Sequence, residues 1–109
     1  MTTNETMHLT IIGRKWFDAH YGNTYWSANA YIDGELVLQV PYSYGYGEQY
    51  LEETYQELSE MGLVPDRERY ASGARPDVRR FCREHNIKLV HEAAHVESKD
   101  DLYRREEEE

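Results

Sequence analysis

The chain carries a single cysteine, Cys82, so no internal disulfide can staple its 109 residues and packing alone must hold them together. A lone thiol also points to a reducing compartment. Proline is scarce at three residues, which leaves long stretches free to form regular elements. No apolar run approaches the ~20 residues that span a bilayer, and the polar start from Met1 to Thr6 lacks the apolar core of a signal segment. Positive charge is the other shortage, with 12 Lys and Arg against 21 Asp and Glu for a formal net charge of −9. That balance repels phosphates and anionic lipid, so neither direct nucleic-acid binding nor membrane binding is expected. It suits a soluble protein of the cytoplasm, or one that docks on a basic surface.

Aromatic rings fill part of the gap. Apolar residues make up 39% of the chain, and ten tyrosines, two tryptophans and two phenylalanines must supply some of the core. A chain this long allows one domain. Residues 1–7 read as a flexible lead, 8–97 as a single α+β domain and 98–109 as an acidic tail ending in four glutamates.

The period of the pattern changes along the domain. A first strand starts at His8 and runs through Ile11 and Ile12 to Trp16 and Phe17, and Gly22-Asn23 closes a hairpin. Thr24 to Tyr31 alternates, with Trp26, Ala28 and Ala30 on one face and Tyr25, Ser27, Asn29 and Tyr31 on the other. A two-residue turn at Asp33-Gly34 would mix polar and apolar residues on both faces. A three-residue loop, Ile32-Asp33-Gly34, pairs Ala30 with Leu36, Ala28 with Leu38 and Trp26 with Val40, and is the expected form. Tyr50, Leu51, Thr54, Tyr55, Leu58 and Met61 then fall at helical spacing before Gly62. Residues 63–75 read as a long connection. Pro76 opens a second helix with Val78, Phe81, Cys82 and His85 on one face. Ile87 to Val90 form a fourth strand that can extend to Val96, and Ser98 with Asp101 can cap a short helix. The expected fold is a two-layer α+β domain of order β-β-β-α-α-β, an antiparallel sheet with two helices packed on one face.

With the other face left open, Tyr25, Ser27, Asn29, Tyr31, Tyr42, Tyr44 and Tyr46 become the expected partner-binding residues. Tyr with Ser and Asn gives large contact area at small rotamer cost, plus adaptable hydrogen bonds. Gly45 and Gly47 would let that loop's backbone come close to a partner. Strand propensity alone also explains surface tyrosines. The same loop precedes a helix but has no Lys-Ser/Thr pair, and Glu48 stands where phosphate would lie, so a phosphate site is not expected.

One motif points elsewhere. His91-Glu92-Ala93-Ala94-His95 matches H-E-x-x-H, which on a helix sets two imidazoles over zinc with the Glu activating water. Here it follows a strand-like run and lacks an evident third ligand. His91 and His95 are therefore held as metal ligands of an alternative zinc hydrolase only, and no cofactor or catalytic residue is expected. Cys82 on its apolar stripe reads as a small buried hydrophobe. Arg79, Arg80 and Arg83 read as answering the first helix's glutamates.

Arg14-Lys15-Trp16-Phe17, Gly22-Asn23-Thr24-Tyr25, Asp33-Gly34 and Tyr44-Gly45-Tyr46-Gly47-x-Gln49-Tyr50 together resemble a group of small phage and prophage proteins, across residues 9–62. The resemblance implies an accessory protein made in the cytoplasm of an infected bacterial cell. Its implied partner is a host protein or complex, including CRISPR and other defence machinery, that it binds and blocks. An acidic nucleic-acid mimic is the remaining alternative, and an edge strand is left open to pair in a dimer.

Overall fold

A computed structural model describes residues 6–103 of the chain. Four strands, β1 (Met7–Asp18), β2 (Asn23–Ile32), β3 (Glu35–Tyr44) and β4 (Ile87–Val96), form one sheet in the order β3-β2-β1-β4. Between β3 and β4 lie α1 (Gln49–Glu60) and α2 (Val78–Glu84), and a 3₁₀ helix, η1 (Lys99–Tyr103), follows β4. The element order is the expected one.

The sheet is mixed, not antiparallel: β1 pairs antiparallel with β2 but parallel with β4 from Met7↔Ile87 to Trp16↔Val96. The physical reason lies in the connection. Strands joined by a tight hairpin run antiparallel, whereas one that returns after a helical crossover is free to lie parallel. Two helices separate β3 from β4, and β4 docks beside β1 at the far edge.

One face meets the helices. Leu9, Ile11, Trp26, Ala28, Ala30 and Ile87 bury against Tyr50, Leu51, Tyr55, Leu58, Val78, Phe81 and Cys82. Gly13 of β1 is the close-approach point: a Cβ there would lie 2.7 Å from the Tyr50 ring. The α1 stripe buries as expected except for Met61, which is exposed beyond the helix end. In α2 the N-cap is Asp77, whose carboxylate accepts from the Arg80 amide; Pro76 precedes it and is not the first helical residue.

The β2–β3 turn differs from the expected loop in an instructive way. Asp33 (φ 51°) and Gly34 (φ 87°) both adopt left-handed geometry, making a two-residue turn closed by Ile32↔Glu35 and Tyr31↔Leu36. Val37 is then an extra residue in β3, and beyond it Ala30 pairs with Leu38 and Ala28 with Val40. A bulge thus returns Leu38 and Val40 to the apolar face, two residues out of the expected register, while Leu36 falls opposite Tyr31 and not Ala30. A second irregularity at residues 41–42 moves Ser43 opposite Trp26.

The other face is not open. η1 touches all four strands, Lys99 lies 5.2 Å over the Tyr42 ring, and Leu102 is buried although it stands outside the main core. The packed unit therefore extends past residue 97, the expected domain end, and Met7, placed in the flexible lead, belongs to β1. Residues 1–5 and 104–109 of the expected lead and tail lie outside the described residues. No helix among the described residues is long and apolar enough to cross a membrane.

Candidate functional site

Tyr25 near the start of β2 is the hub of an aromatic cluster at one end of the sheet. Pairing sets Trp16 of β1 on one side of it and Tyr44 of β3 on the other. Trp16 stacks on Tyr25 with centroids 5.9 Å apart, and Tyr42 stacks at 5.0 Å and 11°. Tyr44 meets Tyr25 edge-on at 5.7 Å and Tyr46 edge-on at 5.4 Å. Such offset and edge contacts stabilise rings beyond the area they bury. The Tyr44 and Tyr46 hydroxyls lie 2.7 Å apart, and this hydrogen bond, before any burial, raises the Tyr44 phenol above its usual value. Both rings are about half exposed, while Tyr25, Tyr42 and Trp16 beneath them are half-buried.

The seven residues expected to bind a partner do not form one surface. Tyr25, Tyr42, Tyr44 and Tyr46 converge. Tyr31 stands six residues along β2, roughly 20 Å away at strand spacing. Ser27 and Asn29 lie on the same face but are buried, 5% and 8% exposed, on the side that η1 crosses. Gly45 is buried as well. Its open side faces the Gln49 side chain and the Trp26 indole, so the missing Cβ admits the protein's own groups and not a partner's. Trp16 was not anticipated as part of the cluster, nor were Phe17 and Tyr21, both exposed near the same end of the sheet. The signal for Trp16 was present: the β1–β2 hairpin register puts it beside Tyr25.

On the opposite, helix-bearing side of the sheet, a groove of about 310 Å³ separates β3 from α1. Trp26, Val40 and Ser43 line one side, and Glu53, Glu57 and Glu60 line the other. The Trp26 indole N–H and the Gln56 Oε1 are buried without hydrogen-bond partners among the described residues. An acidic wall of this kind attracts basic side chains.

His91-Glu92-Ala93-Ala94-His95 lies wholly within β4. Four residues of strand separate the two imidazoles by roughly 13 Å, whereas a helical turn would bring them together. His91 lies 3.1 Å from the Tyr50 hydroxyl through Nδ1. Burial raises the Tyr50 phenol, with nearby Glu48 adding to the effect. The context that a zinc motif requires is thus absent, and among the described residues no group of three or more His, Cys, Asp or Glu converges as a metal site. Cys82 is fully buried, and burial pushes its thiol up to about 11, which suits packing and not nucleophilic chemistry.

One buried charge escaped the sequence analysis. Arg67, in the long connection, is 2% exposed, lies over the Tyr55 ring and donates through Nη1 to Glu52 and to the Pro76 carbonyl. It pins the 63–76 segment to α1, so Glu52 is an ion-pair partner and not merely a solvated residue. Arg79 pairs with Glu48 and Asp77, and Arg80 with Glu84.

Comparison with protein-family models, with curated proteins and with solved structures finds no match to this chain.

Proposed function

We propose that this chain is a non-enzymatic protein-binding accessory of phage type that engages, and blocks, a host protein or defence complex such as CRISPR machinery. The observation that carries the reading is the exposed Tyr44–Tyr46 pair, hydrogen-bonded to each other and seated on the Trp16–Tyr25–Tyr42 stack. Rings already fixed by their neighbours lose little freedom when a partner covers them, which is the condition for an aromatic anchor. The groove on the helix side of β3, walled by Glu53, Glu57 and Glu60, offers a separate acidic surface that favours a partner carrying Lys or Arg. The resemblance of residues 9–62 to small phage and prophage proteins supplies the biological setting.

The test is affinity capture from bacterial lysate with the intact chain and with a Tyr44→Ala/Tyr46→Ala variant. Capture should fall by at least about tenfold, the effect of losing one strong anchor residue, while the thermal midpoint stays close to that of the parent. Tyr31→Ala serves as the control and should capture normally. Undiminished capture by the double variant, or capture that 0.5 M salt (on the order of a 4 Å Debye length) abolishes while the tyrosines prove dispensable, would overturn the reading in favour of an acidic decoy.

A further inference from the structure

The two edges of the sheet are not alike. The β3 edge is guarded by Pro41 and interrupted by two register shifts, the ordinary means of blunting an edge against pairing. The β4 edge has neither. Its ten residues pair with β1 without a break, contain no Pro or Gly, and make no hydrogen bond on the outer side among the described residues.

Residues 88 to 92 also carry a particular symmetry. Lys88, Val90 and Glu92 point to the same face, since their β1 partners His8, Thr10 and Ile12 alternate with the core residues Leu9 and Ile11. Val90 is about half exposed, and neither Lys88 nor Glu92 has an ion-pair partner among the described residues. Reversing the segment about Val90 exchanges the lysine and the glutamate. We propose that β4 pairs antiparallel with β4 of a second copy about a twofold axis at Val90, giving a continuous eight-stranded sheet.

In this register Lys88 stands opposite Glu92 of the second copy, twice by symmetry, and Val90 stands opposite itself. On the helix side Leu89 faces His91 and Ile87 faces Ala93 of the other copy. The structure leaves room there, a groove of about 370 Å³ between α2 and β4 lined by Ile87, Leu89, His91, Arg79 and Arg83. Charges that would discourage a foreign strand cancel against this chain reversed, which is the argument for a second copy as occupant. The opposing force is Arg83, which has no ion-pair partner among the described residues and shares the merged groove with its symmetry mate.

Sedimentation equilibrium of the full chain from about 1 µM to 1 mM, the range expected of a small interface, is the test. Lys88→Glu and Glu92→Lys should each weaken association roughly tenfold, because each replaces two attractive cross-strand pairs with two repulsive ones. The Lys88→Glu/Glu92→Lys double variant should recover parental association, and Arg83→Ala should tighten it. All three positions are exposed, and circular dichroism checks that the fold is kept. A monomer throughout the range, a dimer indifferent to Lys88→Glu, or a double variant that fails to recover would each overturn the proposal.

Discussion

At Gly13 the backbone of β1 passes so close beneath α1 that the Tyr50 ring occupies the space a side chain would need. The ring cannot retreat, because Tyr50 is 3% exposed and its hydroxyl is held near His91. Gly13→Ala should therefore destabilise the protein by about 1–3 kcal/mol, the usual cost of overpacking. Urea denaturation followed by Trp fluorescence measures it, and an unchanged midpoint would mean that α1 sits farther from the sheet. Arg67 illustrates what a single residue hides from its sequence. Nothing in Asp66-Arg67-Glu68-Arg69 distinguishes the buried arginine from its exposed neighbour two positions on. Only the path of the 63–76 connection over Tyr55 selects it. By contrast, the buried α1 residues from Tyr50 to Leu58 could be read directly, because helical period and burial are the same fact.

Among the elements, α2 is short at seven residues and depends on its cap. Burial acts against the charge on Asp77, but the Arg79 guanidinium and the Arg80 amide outweigh it and hold the carboxyl below its ordinary value. A carboxyl lowered by folding contributes stability above its unfolded value of about 4, and that contribution is lost as pH falls through the lower folded value. Asp77→Ala should cost about 1 kcal/mol at neutral pH, with the gap from the parent protein closing in acid below about pH 4. Thermal melts of both proteins between pH 7 and pH 2 check the sign. The β2–β3 connection marks the limit of reading elements singly. Asp33-Gly34 is the strongest short hairpin signal in the chain, and the segregated face was also legible; they conflict only if β3 is assumed regular. The bulge at Val37 satisfies both, and no local pattern announces it.

For the molecule as a whole, the unforeseen feature is the docking of η1, the short helix expected after Ser98, onto the sheet face. A charged stretch, Lys99-Asp100-Asp101, carries one apolar residue, Leu102, and that residue anchors it across the sheet face. Hydrophobic patterning over so few residues gives no signal, so the face of Tyr25 to Tyr31 looked open when Ser27 and Asn29 are in fact buried. Leu102→Ala should lower stability by roughly 2 kcal/mol, at the low end for a buried leucine because solvent can reach a strap more easily than a core. A midpoint in urea within error of the parent would show that the strap contributes nothing. The parallel pairing of β1 with β4 acts on another axis, that of time. Met7 cannot meet Ile87 until a sequence separation of eighty positions has been closed, whereas the β1–β2–β3 meander needs only neighbouring turns. Loop closure on that span delays the last seam of the sheet. A refolding chain should thus form its three-stranded meander first, with one flank of β1 briefly uncovered and able to capture whatever strand arrives before its own.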